Sequence, residues 1–533
     1  VNNNATYKGG AVYLQGSIEG LCNNTVFDTC TFISNIAGVN GGAIDWYRGA
    51  RNGHVLNSVF ENNVANRSGG AIFWSGIRGE IRNSNFTNNT ALGIKEDVDS
   101  YGTVTYGGNG GAIMWVGSNG TVYDSTFTDN VANNHGGAVY LQGSSEGICS
   151  NNIFDTCTFI SNIAGVNGGA IDWYHGAEDG ALINTTFINN TAKRNGGAVY
   201  WNGLNGTIKN SRFVDNRATG ENWQYTMPLT MADKVVIDAD GSFTKGNIVV
   251  LQHSQLPSES SISSYVNKLV VLNYSSSANM LHFESYVAVA NSSSPYGYSW
   301  KQLDEEDINV SDSIISPVDW AVDHYLGGDG GTIYWGGDVG FIYNCTFVDS
   351  NSARRGGAAY MTGSDNVTFD LCTFTNCTSG TNGGGVDWLA GANYGKIYNS
   401  VFNGTQAARS AGAIYYDGWY ADMKNITIIN TQSNGGTLKQ SKDKRVNYAG
   451  WDSSHWDTNT TGGDAGAIMV TGSFINVCNV TFINATAAGR GGAVFLQDNH
   501  NVTFDLCTFI GNEALGIAIA RSEERRVGKE CRS

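Results

Sequence analysis

The chain has 533 residues, with 70 Gly, 4 Pro and 15% charged residues, a length that would ordinarily mean three or four globular domains. Its wealth of Gly, Asn, Thr, Ser and aromatic residues argues instead for strands and tight turns, with few helices. A net charge of −16 excludes nucleic acid as a partner, because phosphate backbones are bound by clustered Lys and Arg that release counterions.

No apolar run approaches the roughly 20 residues that cross a bilayer, and the sequence opens at Val1 in mid-repeat, without a basic-then-apolar leader. Membrane attachment is therefore expected only through segments missing from this fragment.

From the N-terminus, the phrase GGA(I/V)x(W/L) or a close variant begins at Gly9, Gly41, Gly69, Gly110, Gly136, Gly168 and Gly196. It resumes at Gly330, Gly356, Gly383, Ala411, Ala465 and Gly491, the commonest spacing being 26 to 28 residues. Between most copies comes Asn-x-x-Phe with an Asn-rich turn and Ala, as at Asn57, Phe60, Asn63 and Ala65. The fourth and sixth positions of the first phrase are always apolar, for example Ile44 and Trp46, while the fifth varies. Period two is the mark of a short strand with one face buried and the other exposed.

About 27 residues cannot hold the four strands of a propeller blade, and neither a leucine-rich frame nor a helical period is present. The predicted fold is all-β: a right-handed parallel β-helix, a solenoid of about 26–28 residues per coil, with one β-rich insertion. Gly-Gly is assigned a bend with positive φ. The Asn at the third place after Phe is assigned a left-handed turn whose amide bonds the same Asn one coil away. Asn35, Asn63, Asn89, Asn130, Asn162, Asn190, Asn216 and Asn512 would form that ladder.

Coils are expected over 1–220 and again over 327–520. Residues 9–47 match 136–174 almost one for one at an offset of 127, the trace of a duplication. All four prolines, Pro228, Pro257, Pro295 and Pro317, fall in 221–326, an insertion or set of irregular coils with candidate strands at 235–238, 248–251, 269–274 and 286–290. Shorter excursions run over 92–107 and 436–463. The last residues, 521–533, break the pattern with a burst of charge, resemble a translated sequencing adapter and are expected to be non-native.

The phrases GGAIDW at 41–46, GGAIFW at 69–74 and GGAVYW at 196–201, alternating with NSVFENN at 57–63 and NTTFINN at 184–190, resemble the adhesin-like repeat proteins of methanogenic archaea. They are also similar to the GGAI and FxxN repeats of chlamydial polymorphic outer membrane proteins. The resemblance covers 1–220 and 327–520. It implies a right-handed β-helix displayed outside the cell for adhesion, with no catalytic residues to carry over.

Ten cysteines fit no zinc spacing. Cys22 and Cys30 recur as Cys149 and Cys157, which allows a disulfide in each of those coils. The favoured reading is a small buried side chain, since Cys30, Cys157, Cys345, Cys372 and Cys507 all stand in Cys-Thr-Phe.

Candidate ligand positions are the outward fifth residues. Asp45, Asp172 and Asp387 suit Ca²⁺ or sugar, against the blander reading of solvated strand residues; Tyr13, Tyr140, Tyr200, Tyr334, Tyr360 and Tyr415 suit sugar stacking, against ordinary cross-strand packing. Trp451 and Trp456, in a basic and aromatic excursion, suit a receptor contact. Asp238, Asp240 and Gly241 open like a Ca²⁺ loop, but Val249 occupies the place of the closing acid. No catalytic residue, metal or cofactor is assigned.

The function expected is a cell-surface or secreted adhesin-like protein whose partners are surface glycans or proteins of other cells. A polysaccharide lyase or glycoside hydrolase is the rival, and a passive surface spacer the third reading. Asn-x-Ser/Thr sequons such as Asn4, Asn88 and Asn205 would permit glycosylation.

Overall fold

The computed structural model describes the chain apart from residues 17–21, 48–49, 99–101, 144–148, 175, 225–234, 238–242, 246–247, 252–267, 276–279, 291–297, 310–322, 390, 436–462, 498 and 517–533. Among the described residues there is no helix, and short parallel strands stack into three long sheets. The Gly-Gly strands, from Val12–Leu14 to Val494–Leu496, make a 13-stranded sheet. Two-residue strands, from Asn4–Ala5 to Glu513–Ala514, make a 14-stranded one, and the remaining strands of the coils, in most coils two apiece with the inward Phe of Asn-x-x-Phe on the second, make a third of 24. Pairing is in register: Ile44 lies against Ile72, Trp46 against Trp74 and Phe60 against Phe86. The chain is a parallel β-helix.

Each coil turns at left-handed corners. In the coil opened by Gly41 (φ 63°), the corners fall at Asn52, Asn57 and Asn62, five residues apart. Asn62 is thus the left-handed residue, one place earlier than the sequence pattern suggested, and this frees Asn63 to point inward, fully buried. The Asn63 amide donates to Asn89 Oδ1 at 2.9 Å and to the Phe32 carbonyl at 2.9 Å. The same ladder runs without a break from Asn35 to Asn216. Asn512 stands apart from it, accepting from the Ala485 amide at 2.9 Å.

The core is a set of columns. Phe32, Phe60, Phe86, Phe127, Phe159, Phe187, Phe213, Phe347, Phe374 and Phe402 stack face to face with centroids 4.4–5.0 Å apart. Ile44, Trp46 and Phe60 are all completely buried. Glycine makes the close approaches: a Cβ on Gly42 would lie 2.0 Å from the Gly70 carbonyl oxygen, and one on Gly53 2.4 Å from the Trp46 ring. Every cysteine among the described residues is a free thiol. Cys157 donates to the Val122 carbonyl one coil back at 3.4 Å, and burial pushes the thiols of Cys149, Cys157 and Cys377 up to about 12.

A longer period is superimposed on the coil. Leu14, Leu141, Met361 and Leu496 occupy the sixth position on strands one, five, nine and thirteen of the Gly-Gly sheet. Asp45, Asp172 and Asp387 hold the fifth position on strands two, six and ten. The chain leaves the column between strands three and four, seven and eight, and eleven and twelve, each time after a two-residue strand and before the next Gly-Gly.

The three necks are alike. A Cβ on Gly108 would lie 3.3 Å from Gly93 Cα, on Gly328 3.2 Å from Gly220 Cα, and on Gly463 3.1 Å from Gly435 Cα. The first excursion is a hairpin, Ile94–Val98 against Gly102–Tyr106. The second opens with Glu221–Gln224 antiparallel to Asp323–Leu326 and includes a four-stranded antiparallel sheet of Ile248–Leu251, Lys268–Ser275, Met280–Ala290 and Tyr298–Asn309. Beyond it the column resumes in register, Trp201 on Trp335 and Phe213 on Phe347.

Candidate functional site

The fifth positions form one row along the Gly-Gly sheet, yet the row is not a solvent face. Asp45, Asp172 and Asp387 are fully buried, Tyr140 and Tyr360 nearly so, and Tyr200, Tyr334 and Tyr415 half-buried; of the predicted ligand positions among the described residues, Tyr13 alone is exposed. The expectation of an outward row is therefore corrected for Asp45, Tyr140, Asp172, Tyr360 and Asp387. The cause is the residue just before the Gly-Gly wherever it is long and basic, at Lys8, His135, Arg355 and Arg490, whose side chain lies over the row. The Arg355 guanidinium lies 4.4 Å from the Tyr360 ring centre, Arg490 lies 4.4 Å from that of Phe495, and His135 packs 5.8 Å from Tyr140. Trp451 and Trp456, with Asp238 and Asp240, lie outside the described residues.

Each buried aspartate sits one strand beyond a basic side chain and a tyrosine: Lys8 and Tyr13 before Asp45, His135 and Tyr140 before Asp172, Arg355 and Tyr360 before Asp387. His135 Nδ1 lies 2.9 Å from Asp172 Oδ2. Neither carboxylate oxygen of Asp45 or Asp387 has a hydrogen-bond partner. Burial raises all three, Asp45 to about 7 with Lys8 opposing, Asp172 with His135 opposing, and Asp387 well above the ordinary value with Arg355 opposing. Asp329 behaves oppositely: Arg354 and Arg355 both donate to it, Arg355 Nη2 at 2.9 Å, and overcome its burial so that it is lowered.

These clusters repeat four strands apart, about 19 Å at ~4.8 Å per strand, so their acids cannot converge on one ligand. Among the described residues no group of three His, Cys, Asp or Glu can hold a metal ion.

A second row, missed in the sequence, follows the outer corner at Asn52. Most coils place Asn or Asp there, as at Asn24, Asn119, Asn151, Asp179, Asn205, Asn366 and Asn501; Arg78 and Val339 are exceptions. Three consecutive coils place Tyr394, Tyr420 and Phe474 there instead, at φ 56°, 61° and 61°. Aligning the coils on this corner, rather than on Gly-Gly, would have exposed the substitution.

Fold and repeat together define a repetitive, solenoidal β-helix protein. Its coils match the model of the Chlamydia polymorphic membrane protein repeat at residues 57–73, 124–142 and 184–200, each stretch containing an inward Phe and running into the Gly-Gly strand, so the repeats are of the polymorphic-membrane-protein type. No curated protein matches the chain. Two solved structures are similar. One, a PL6 alginate lyase in complex with a trisaccharide, has a TM-score of 0.34 at 10% identity over 92% of this chain and 80% of that one. The other, an alginate lyase in complex with G6, has a TM-score of 0.34 at 11% identity over 91% and 85%. At that level of similarity neither bears on the chemistry of this chain.

Proposed function

We propose that the chain is a cell-surface or secreted, adhesin-like protein that attaches to glycans or proteins of other cells through the outside of its β-helix. The observation that carries this reading is the match of three separate coils to a membrane-protein repeat. The architecture supports it: the inward side chains keep one chemical character from coil to coil, while the outer corner, Asn or Asp in most coils, carries Tyr394, Tyr420 and Phe474 in three successive ones, so this departure from the repeat stands where a partner can touch it. The clusters of buried acids have no opening to a substrate and act as packing within the row.

Two measurements test the proposal. Antibody to the purified protein is expected to label intact, unpermeabilised cells of the source organism, and beads coated with the protein are expected to adhere to target cells or glycans. Labelling that needs permeabilisation overturns the surface assignment. Release of reducing ends or unsaturated uronates from a polysaccharide panel would replace the binding role with an enzymatic one.

A further inference from the structure

We infer that the outer corner of three consecutive coils, formed by Tyr394, Trp419, Tyr420 and Phe474, is a sugar-binding platform. The inference rests on the adhesin reading and gives it a location and a ligand class.

The rings form a single exposed column. Tyr394 stacks on Tyr420 with centroids 5.1 Å apart and planes 8° from parallel, and Tyr420 on Phe474 at 4.9 Å and 19°. Trp419 stands beside them, inclined 65° to Tyr420 and 48° to Phe474. Exposure is 43% for Tyr394, 53% for Trp419, 43% for Tyr420 and 40% for Phe474.

Nothing in the fold calls for aromatic rings here. Asn or Asp turns this corner in most other coils, and such short polar side chains take left-handed backbone more readily than bulky ones. Bulky residues held at positive φ on three coils in succession are strain retained at an exposed site, which points to function.

The corner is also pre-organised. Asn393 Oδ1 accepts from the Trp419 amide at 2.9 Å, and the Tyr394 amide donates to the Trp419 carbonyl at 2.8 Å. Beneath them the buried Tyr416 hydroxyl donates to that same carbonyl at 3.3 Å and accepts from the Gly395 amide at 3.1 Å. Tyr416 is the aromatic hydroxyl standing where neighbouring coils carry Trp388 and Val470.

The chemistry beside the rings selects the occupant. Two residues after each ring, Lys396, Asp422 and Asn476 pair across the same three coils. Asp422 holds this polar row together, accepting from Tyr398 at 2.8 Å, Lys424 at 2.6 Å and Asn476 at 2.9 Å. Stacked on one another, the three rings turn their edges outward as an apolar strip, with the inclined Trp419 beside it; such a strip alongside a polar row of mixed sign suits a ligand with both faces, the C–H surface of a pyranose and its hydroxyls, and the step from ring to ring is comparable to one sugar unit. The exposed ring surface is roughly 270–450 Å² for rings of 150–250 Å² each, below the ~800 Å² per partner of a stable protein interface. A short stretch of glycan fits this area; a second copy of the chain does not.

The test uses the full chain and the triple variant Tyr394→Asn/Tyr420→Asn/Phe474→Asn, which restores the residue other coils use and so preserves the fold. Val339→Asn, at the same corner elsewhere, is the control. On an immobilised panel of neutral and acidic oligosaccharides, the wild type and the control are expected to bind alike, and the triple variant to bind about tenfold or more weakly with an undiminished melting temperature. Undiminished binding by the triple variant overturns the platform while leaving the adhesin reading intact. So does a wild type that adheres to cells but to no oligosaccharide, or one whose dimerisation is abolished by the triple substitution. A wild type that adheres to neither cells nor glycans overturns both.

Discussion

Asp45 is a carboxyl group buried without a hydrogen-bond donor, and its cost is a function of pH. Its value rises from 3.8 to about 7 on folding. Below pH 3.8 both states hold the proton and no penalty exists. Between there and pH 7 the unfolded chain releases the proton while the folded chain retains it, so stability is lost as pH rises, at ~1.4 kcal/mol per unit. Asp45→Asn is therefore expected to stabilise the protein at pH 8 by up to about 4 kcal/mol and to change little at pH 4. Thermal melts at the two pH values check this, and an equal effect at both refutes it. At the outer corner, Val339→Asn relieves left-handed strain worth about 1 kcal/mol without removing a ring contact and is expected to raise the melting temperature slightly.

Within one coil, the stability lies in ladders rather than in pairs. Asn130 accepts from the Asn89 backbone amide and side-chain amide, both at 3.0 Å, and donates to the Phe86 carbonyl at 3.0 Å. Asn130→Ala leaves two buried donors without partners, an expected loss of about 2–4 kcal/mol read as a lower denaturant midpoint. Asn512→Ala, at the isolated member of the set, is expected to cost less. The second glycine of each pair is less forgiving. A Cβ on Gly70 would lie 2.0 Å from the Gly111 carbonyl oxygen, against backbone that cannot move without parting the sheet, so Gly70→Ala is expected to yield misfolded protein.

The assembled column behaves as a one-dimensional stack in which each coil is held by its neighbours, and the four-strand period makes the stack a series of equivalent modules. Because every excursion leaves through a paired-glycine neck, the column does not depend on what the excursion contains. Deleting 221–326 and joining Gly220 to Gly327 is expected to leave the β-sheet spectrum intact and the melting temperature within a few degrees, as Trp201 already stacks on Trp335 at 4.9 Å and Phe213 on Phe347 at 5.0 Å. A large loss of stability would show instead that 221–326 is an integral part of the column.

The coil length, the inward Ile44, Trp46 and Phe60 and the Asn ladder could be read directly from the sequence, because each is a local demand made again in every coil. The left-handed corner was misplaced by one residue, since Asn62 and Asn63 are chemically alike and only packing tells them apart. Whether the fifth position met water was beyond sequence, because it depends on Lys8, His135 or Arg355 folding over the row from a neighbouring coil. The same holds for the outer column: Tyr394, Tyr420 and Phe474 lie 26 and 54 residues apart along the chain. Repetition in the sequence determined the coil, and the stacking of coils decided which side chains became a surface, since adjacency along the column is set by strand register and not by distance along the chain.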